Sequence, residues 1–588
     1  MHQQYWARVD GETDVMGDLN QVSGVPLSYS ASSLTGGYIS TDDAGNIIVS
    51  PHGTITYNRR DGTSVEYVAN FDGDTGCFWS QQIYKITRPD GETLTYYESG
   101  INSMQSTVVS NLGYQIRIFY EPYNINKECV GAEKKDYDSS YKCITSVTLV
   151  DTSVDDCAPL GSCVYTRDWP TLRMHSSGPN ILQISDVLGR TTVYHSTSYQ
   201  AGSGSIKKLF TKVVRPEGRT TNISYVTSVS PSVTITGQVG SITNGNSTWT
   251  YAVDSEPLSG SGNRIIRSAV SVTDPLGGVT RYANSSHFGP AYGEGRAMLE
   301  SVRDPAGRVT SYSWYGYHMP RLRRVTYPSG GYVHYDYDNL QNLTSISKHS
   351  SESDSPRVVL FGYKSACEYN ILCYKPIYRD DELGNRTNFA YDPVHGGVVS
   401  IEKPSDGGVI GQRAKTIFEY DAGVIGVARL LRVRNCTIEP NCAEGGAEAV
   451  VETVYDAKRR PIITSHRAGD WAPTTSTTAD ARSMVTRLTY NYAGDTSSTD
   501  GPLPGNVDTA YYYYDAARQL VMWVSGAPST GGGRSIVRYV YDYEGRQIRI
   551  DTGVGTNVDG SDLVVNNFKR MAYNSDNGLL AKVEEVVP

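Results

Sequence analysis

The chain has 588 residues, a formal net charge of −9 and no long run of either sign. This balance excludes the basic stripe of a nucleic-acid-binding protein, and no segment approaches the roughly 18 consecutive apolar residues of a membrane span. With 44 Tyr against 9 Phe and 7 Trp, the composition favours half-hydrated β-sheets, because a Tyr ring packs while its hydroxyl reaches water.

The N-terminal segment, MHQQYWARVDGETDVMGDLN, has no basic region followed by an apolar one. It is therefore not a Sec-type signal peptide. The nine cysteines nevertheless indicate an oxidising compartment. We therefore expect an extracellular or cell-surface protein that is exported by another route.

Turn motifs followed by alternating strands begin early in the chain. One type reads Asp-x-x-Gly, as in DDAGNIIV from Asp42, and the other reads Pro-x-Gly, as in PHGTITY from Pro51 and PDGETLTY from Pro89. The Asp side chain accepts a hydrogen bond from the backbone two residues on, Pro presets φ, and Gly takes the positive-φ position. Each motif therefore predicts a β-hairpin.

Residues 121–170 interrupt this pattern with four cysteines and little periodicity. Three cysteine pairs in the whole chain each enclose five residues: Cys157 with Cys163, Cys367 with Cys373, and Cys436 with Cys442. The shared spacing favours short loops closed by disulfides, with Cys129 and Cys143 as a fourth pair and Cys77 left over. Free structural thiols and a metal site remain the alternatives, although structural zinc sites usually have more closely spaced pairs.

From about residue 181 the turns become regular. Asp304 follows Asp274 by 30 residues, and Asp542 follows Asp515 by 27 residues. This spacing corresponds to two strands of about 5–6 residues and two turns, which predicts a β-hairpin array. We predict a structural role for five turn pairs, which are Asp186 with Gly189, Asp274 with Gly277, Asp304 with Gly307, Asp381 with Gly384, and Asp542 with Gly545.

Two further interruptions and two irregular turns lie in this part. Residues 226–270 are predicted to add two or three plain strands, and residues 466–510 to form surface loops around one strand, with a weak helical pattern near residues 479–488. Arg459 and Arg518 occupy positions where Gly is expected, so those turns are predicted to differ. The sequence leaves open whether the inserted loops recognise a partner or vary neutrally.

Tyr-Asp opens many of the later units. The copies are YDYDNLQNLTSI from Tyr335, YDPVHGG from Tyr391, YDAKRRP from Tyr455, YDAARQL from Tyr514 and YDYEGRQ from Tyr541. Together with the Asp-x-x-Gly turns, they resemble the RHS/YD-repeat family from about residue 180 to residue 588, and more thinly before that. We expect the Tyr that follows each Asp-x-x-Gly turn to pack on neighbouring Tyr across the sheet.

The resemblance implies an all-β fold, a long spiralling array of antiparallel β-hairpins that forms a shell or part of one. The implied organisation is a divergent β-repeat region at 1–180, with a cysteine-containing insertion at about 121–170. The hairpin array follows at 181–588, with insertions near 226–270 and 466–510. In this family the shell belongs to bacterial polymorphic toxins and insecticidal complexes and encloses a toxic domain, whereas teneurin-like animal relatives use it for adhesion.

Family shells often end in a motif that begins Asp-Pro-x-Gly, continues to Asn-x-Tyr-x-Tyr and supports self-cleavage by paired aspartates. DPLGG from Asp274 and DPAGR from Asp304 lack that continuation, so no catalytic aspartate is assigned. We expect neither the cleavage motif nor a distinct toxic domain within these residues.

The sequence contains no HExxH, GxSxG, P-loop or dinucleotide fingerprint. FDGDTG, from Phe71 to Gly76, resembles a calcium loop but lacks the further ligands, so a plain turn is expected. We therefore predict a non-enzymatic protein without cofactor or metal.

Two functional hypotheses follow. The first is a shell, or part of one, that encapsulates or delivers a toxin cargo in bacterial competition or host interaction, with the cargo or a downstream toxin domain as partner. The alternative is an extracellular adhesin or filament-forming protein that self-associates through sheet edges. A carbohydrate-binding propeller would need a repeat of about 40–45 residues, which the shorter spacing here disfavours.

Overall fold

The computed structural model describes most of the chain. The described residues are 5–8, 38–39, 46–50, 54–59, 61–72, 77–98, 105–122, 133–135, 138–200, 206–226, 237–257, 264–288, 297–316, 321–351, 353–364, 371–404, 413–436, 449–468, 483–527, 529 and 532–587. The turns predicted at Asp42 and Pro51, the tip of the FDGDTG segment, and Cys129, Cys367 and Cys442 lie outside them.

The described residues form 41 strands and one short 3-10 helix, Ile371–Tyr374. Strands β1 to β14 are Tyr5–Arg8, Tyr38–Ile39, Asn46–Ser50, Thr54–Asn58, Ser64–Asp72, Cys77–Thr87, Thr93–Glu98, Gln105–Ser110, Tyr114–Pro122, Glu133–Lys135, Asp138–Asp151, Thr171–Gly178, Ile181–Ser185 and Thr191–Gln200. Strands β15 to β28 are Ile206–Val214, Thr220–Val226, Gln238–Asn244, Ser247–Pro257, Arg264–Thr273, Val279–Phe288, Ala297–Arg303, Val309–Tyr315, Arg321–Thr326, Tyr332–Tyr337, Leu343–His349, Arg357–Gly362, Tyr378–Asp380 and Arg386–Tyr391. Strands β29 to β41 are Val398–Glu402, Lys415–Asp421, Arg429–Cys436, Ala449–Tyr455, Pro461–Ala468, Ser483–Tyr490, Thr496–Asp500, Ala510–Tyr514, Leu520–Val524, Arg534–Tyr541, Gln547–Gly555, Val564–Tyr573 and Leu580–Val586.

These strands belong to one sheet, in which most strands are hydrogen-bonded to the strand that follows them along the chain, as in β15 with β16 and β23 with β24. Wherever the register is described, the paired strands run antiparallel, as in β13 with β14 and β38 with β39. Two pairings skip along the chain, because β1 pairs with β6 and β9 pairs with β11. The prediction of an all-β array of antiparallel hairpins is confirmed, and the described residues contain no α-helix.

The chain divides into two compact units, each made of separate segments. Unit 1 comprises Met1–Thr93, Trp249–Glu419 and Asn435–Cys442, and unit 2 comprises Leu94–Thr248, Tyr420–Arg434 and Ala443–Pro588. The sequence places a boundary between residues 180 and 181. Strand pairing is continuous there, because β12 pairs with β13 and Gly178 faces Ile181.

The predicted interruptions are more ordered than the sequence suggested. β17, β18 and β19 supply the plain strands expected in 226–270. The helical pattern near 479–488 is wrong for the described part, because Ser483–Tyr490 is strand β34, with Met484 exposed and Val485 buried. This alternation is that of a strand with two different faces. β34 pairs with β35, so 466–510 holds two strands after β33, rather than one.

Most strand residues are only half-buried, as expected for a single sheet. A buried apolar cluster in unit 2 consists of Val150, Cys157 and Trp169, with Cys163 packed against it. This cluster lies within the cysteine-containing segment that sequence periodicity marked as an interruption. The segment therefore contributes to the packing of unit 2.

Candidate functional site

The Asp-x-x-Gly turns share one hydrogen-bond pattern. In the turn at 186–190, the Gly189 amide donates to the Asp186 carbonyl at 3.0 Å, and the Asp186 amide donates to the Arg190 carbonyl at 3.1 Å. The same two backbone bonds close the other four predicted turns. In those turns the donating glycine amide and the accepting Asp carbonyl belong to Gly277 and Asp274, Gly307 and Asp304, Gly384 and Asp381, and Gly545 and Asp542, at 2.9–3.0 Å.

The glycines of these five turns have a positive φ, a conformation that is costly for residues with a Cβ. The φ values are 77° at Gly189, 85° at Gly277, 82° at Gly307, 82° at Gly384 and 77° at Gly545. An added Cβ would meet no atom within 4 Å at the first four positions. At Gly545, by contrast, it would lie 2.9 Å from Arg190 Nη1. Backbone conformation alone therefore favours Gly in four of the turns, whereas Gly545 also leaves room for a side chain from a distant turn.

The fifth residue of the turn holds the Asp side chain, a feature that the sequence interpretation missed. The Arg190 Nε donates to Asp186 Oδ2 at 2.6 Å, and Arg308 and Arg546 make the same contact with Asp304 and Asp542. In the turn at 381–385, Asn385 takes this place and, by its side-chain hydrogen bond, lowers the pKa of Asp381. The sequence contains a signal for this contact, because Arg directly follows the Gly in DVLGR, DPAGR and DYEGR.

The two turns with Arg in place of Gly do not differ, which corrects the prediction for them. Arg459 and Arg518 have φ values of 60° and 64°, and their amides close the turn as Gly does, at 2.9 Å to Asp456 and Asp515. Long-range contacts offset the strained backbone. Arg459 Nε donates to the Val427 carbonyl at 3.0 Å, and Arg518 Nε donates to Asp495 at 2.9 Å.

Tyrosines at the ends of strands tie one hairpin to an earlier one. Among the described residues, eight tyrosine hydroxyls donate at 2.5–3.1 Å to main-chain carbonyls that lie 15 to 29 residues earlier in the chain: Tyr225, Tyr337, Tyr363, Tyr391, Tyr455, Tyr490, Tyr541 and Tyr573. At seven of them the strand register shifts just before the Tyr, and such a bulge re-aims the side chain. Among these eight, only Tyr337 contacts another described Tyr ring, that of Tyr315. These eight tyrosines therefore act through a contact from the hydroxyl to the backbone. Of the tyrosines that follow a turn, Tyr194 packs on Phe210 and Tyr315 on Tyr337.

We predict that Tyr455→Phe lowers the free energy of unfolding by about 1 kcal/mol, because the Leu430 carbonyl loses its 2.6 Å donor. Urea unfolding followed by circular dichroism measures this change. The exposed Tyr543, which lies inside a turn, is the matched control, and Tyr543→Phe is expected to change nothing measurable. Equal effects of the two substitutions would contradict a specific role of the hydroxyl that precedes the turn Asp.

Burial raises the pKa of fourteen described tyrosines. They are Tyr96, Tyr114, Tyr165, Tyr225, Tyr315, Tyr335, Tyr337, Tyr363, Tyr391, Tyr455, Tyr490, Tyr513, Tyr514 and Tyr541. The unfolded chain releases these protons near pH 10.0, before the folded chain does. The contribution of these tyrosines to the free energy of unfolding is therefore complete below about pH 10. It is lost as the pH rises through their folded-state pKa values.

We accordingly predict that the chain loses stability steeply above about pH 10. Tyrosinate absorbance of the folded chain should develop at higher pH than that of the same chain in urea, and the unfolding midpoint should fall over that range. Coincident titration curves for the folded and the unfolded chain would contradict the prediction.

In unit 2, tight turns of earlier strands face tight turns of later strands. The turns at 186–190 and 215–219 lie against those at 515–519 and 542–546. We call the contacts between the earlier and the later runs of turns the turn seam. Its side-chain pairs are Asp151–Lys458, Arg190–Gln519, Arg219–Glu544, Glu217–Arg546 and Asn246–Asp576, and the Tyr492 hydroxyl adds a sixth pair by donating to the Asp168 carbonyl. Five of these pairs are separated by 324 to 330 residues. The two runs are therefore stacked in step, hairpin by hairpin.

The longer connections of unit 2 lie mostly at the other ends of the same strands. β39 begins at the tight turn 542–546 and ends at the connection 556–563, and β40 then leads to the tight turn 574–579. β14 likewise begins at the tight turn 186–190, and β34 ends at the tight turn 491–495. The alternation accounts for the irregular repeat spacing, because insertions fall at the strand ends that are away from the seam.

Glu544 and Asp151 are the most enclosed of the charged residues named in the seam, each with a side chain that is 4% exposed. The Glu544 Oε2 lies 2.8 Å from Arg219 Nη2 and 3.2 Å from Arg546 Nη1. Arg546 also pairs with Asp542 in its own turn at 2.7 Å and with Glu217 across the seam at 2.9 Å. A buried carboxylate held by two guanidinium groups fixes the relative position of both turns.

Unit 1 has an apolar contact of the same kind. The side chain of Ile371, in the 3-10 helix, lies against the turn glycines Gly62 and Gly396, where an added Cβ would come within 2.5 Å of its Cδ1. Gly62 and Ile371 are 309 residues apart (371 − 62). Any side chain at Gly62 would displace this contact.

The structure contains the Cys157–Cys163 disulfide, with the two Cα atoms 5.1 Å apart. Cys143, Cys373 and Cys436 are also disulfide-bonded, and their predicted partners lie outside the described residues. The Cys157–Cys163 loop turns its carbonyls toward the sheet. Four polar side chains of β8 and β9 donate to them: Gln105, Thr107, Gln115 and Arg117.

Arg117 is fully buried beneath this loop. Its Nη1 donates to the Ala158 carbonyl at 2.9 Å, and its Nη2 donates to the Gly161 carbonyl. Next to the loop, Asp155 accepts from the Trp169 Nε1 at 2.6 Å. Burial by itself raises the pKa of Asp155, but hydrogen bonds from Thr166 and Trp169 outweigh it and lower the pKa. Arg117 thus holds the loop on the side that faces the sheet, and the Asp155–Trp169 contact lies next to the loop.

The described residues do not present an assembled catalytic centre. They contain no group of three His, Cys, Asp or Glu side chains that could hold a metal ion. A polar cluster joins Tyr315, His334, Asp336 and Ser345, but Ser345 donates to Asp336 at 2.7 Å rather than to the imidazole, so it lacks the nucleophile-to-base contact of hydrolases. No helix within the described ranges is long and apolar enough to cross a membrane.

No protein-family model matches the chain, and no curated protein is similar to it. Among solved structures, the crystal structure of TcdB2-TccC3-TEV is 10% identical with a TM-score of 0.37, over 96% of this chain and 36% of that chain. TcdB2-TccC3-Cdc42 is 9% identical with a TM-score of 0.32, over 92% and 37%. A porin-like protein from Bacteroides uniformis is 7% identical with a TM-score of 0.16, over 54% and 98%. This chain spans about a third of the first of these structures, and at such TM-scores the likeness does not establish a shared fold.

Proposed function

We propose that the chain is a non-enzymatic wall segment of a hollow container of the RHS/YD-repeat type. Its partner would be a toxin cargo or toxin domain, enclosed or delivered in bacterial competition or host interaction, outside the cell or at its surface. The turn seam is the observation that supports this proposal. A single hairpin array exposes its turns, and a wall requires successive layers of hairpins to be joined along those turns.

The chemistry of the seam supports a permanent joint. Its ion pairs are partly or fully buried, as Glu544 illustrates, and buried charge pairs tolerate little displacement because an unpaired charge is costly. The nearly constant separation of 324 to 330 residues brings turn after turn together. A wall built in this way can enclose a volume without a thick hydrophobic core.

Electron microscopy of the chain, purified without reductant, tests the proposal. Closed or curved hollow particles are expected for the wild type, and the charge-reversed Glu544→Lys variant is expected to give open or irregular particles. Solid globular particles for the wild type would contradict a container. A variant whose particles are identical to the wild type would show that the seam does not shape the wall.

The second candidate is a filament-forming or adhesive surface protein that associates through sheet edges. One observation favours it: among the described strands β41 pairs only with β40, and all seven residues of β41 are exposed. Such an edge can accept a further strand. Filaments or end-to-end sheets in the same micrographs would favour this candidate over the container.

A further inference from the structure

A cleft of about 450 Å³ opens beside the turn seam in unit 2. Its apolar walls come from β12 to β15 and include Leu172, Ile184 and Val213. Its charged rim combines the turns 186–190, 215–219 and 542–546. The size and the mixture of apolar wall and converging polar groups are those of a small-ligand site.

Most of the charges around the cleft are matched within the protein. Arg190 pairs with Asp186, and Arg219 and Arg546 both pair with Glu544. Arg215 is different: its Nη1 donates to Thr221 Oγ1 at 2.8 Å, and no carboxylate of the described residues lies within ion-pair distance of it. Burial, followed by the neighbouring Arg219, lowers the pKa of Arg215.

The cleft also contains an acceptor without a donor. Glu544 Oε2 is engaged by two guanidinium groups, but Glu544 Oε1 is buried and has no hydrogen-bond partner. A buried carboxylate oxygen without a donor is costly. Arg215 and Glu544 both line the cleft, and the Glu544 charge acts on Arg215, so the wall offers a cation and a hydrogen-bond acceptor.

From this pairing we infer that the cleft binds the carboxylate side chain of an acidic peptide segment. The carboxylate accepts from Arg215, a peptide N–H donates to Glu544 Oε1, and the intervening methylene packs on the apolar wall. Guanidinium groups suit planar carboxylates. A phosphate dianion brings twice the negative charge of a carboxylate beside Glu544 and has no methylene group to pack on the apolar wall. The inference does not depend on whether the chain forms a container.

Ligand-observed NMR with N-acetyl-aspartyl amide tests the site, with N-acetyl-asparaginyl amide and inorganic phosphate as comparison probes. Saturable binding of the aspartyl probe is expected, weakened at least about tenfold by Arg215→Met and unchanged by Arg308→Met. Arg308 is the matched control, because it lies in a turn of the same kind, pairs with Asp304 and is 69% exposed.

Three results would overturn the inference: no saturable binding, equal binding of the asparaginyl probe, or tighter binding of phosphate. Arg215→Lys is a second variant that tests the site if the Arg215→Met chain does not fold. It keeps the charge but loses the planar two-pronged contact, so weakened binding by a folded chain is expected. Unchanged binding by a folded Arg215→Lys or Arg215→Met chain would show that Arg215 does not bind the carboxylate, which contradicts the inference.

Discussion

Arg117→Ala is expected to destabilise unit 2 by about 4 kcal/mol, as measured by urea unfolding. The substitution removes a fully buried side chain, which alone costs roughly 2–5 kcal/mol for large side chains. It also leaves the carbonyls of Ala158 and Gly161 without the donors that hold the disulfide-closed loop. The Cys157–Cys163 bond keeps the loop closed but cannot replace those donors.

Arg308→Ala serves as the matched control for Arg117→Ala, since the Arg308 side chain is largely exposed. Its free energy of unfolding is expected to lie within about 0.5 kcal/mol of that of the wild type. Limited proteolysis adds a local measurement, because cleavage within 157–163 should accelerate only in Arg117→Ala. If Arg117→Ala matches the wild type in both measurements, the loop is not held by its carbonyl contacts.

Glu544→Lys is expected to lower the free energy of unfolding by about 3 kcal/mol or more and to loosen the turn seam. The substitution replaces the carboxylate that lies between Arg219 and Arg546 with a third positive charge. Adding Arg219→Glu to this variant should restore part of the loss, because the new pair again has opposite charges. The measurement is the unfolding free energy of the two single variants and the double variant.

Leu276→Lys is the control for charge introduced into a turn. Leu276 is the third residue of DPLGG, the same turn position that Glu544 holds in its own turn, and it is 97% exposed. This variant is expected to be as stable as the wild type. If the Glu544 and Leu276 variants behave alike, or if Arg219→Glu gives no rescue, the ion pairs of the seam do not contribute to stability.

The hairpins could be predicted because their determinants are local. An Asp, a Gly three positions later and an alternating strand span only a short stretch of chain, and each residue acts on its own backbone or on one a few positions away. The Arg that binds the turn Asp is equally local, because it directly follows the Gly in DVLGR, DPAGR and DYEGR. Arg459 was misjudged because its contact is with Val427, 32 residues earlier.

The candidate site could not be predicted in the same way. The turn seam joins residues more than 300 positions apart, and no local pattern specifies which turn faces which. Glu544 and Leu276 occupy equivalent turn positions, yet one is nearly buried and the other nearly fully exposed. The difference arises from the stacking of hairpins, which depends on the cumulative length of all the strands and connections between them.

Cross-linking of Asn246→Cys with Asp576→Cys tests the central claim, that hairpins 324 to 330 residues apart stack turn on turn. Asn246 Nδ2 and Asp576 Oδ2 are 2.7 Å apart. The control partner is Asp559→Cys, in the connection at the other end of the ten-residue strand β40, about 30 Å away along the strand. A 246–576 disulfide within one chain, identified by mass spectrometry and absent from the control pair, is the expected result. Equal cross-linking of both pairs, or of neither, would contradict the stacked turns on which the proposed wall depends.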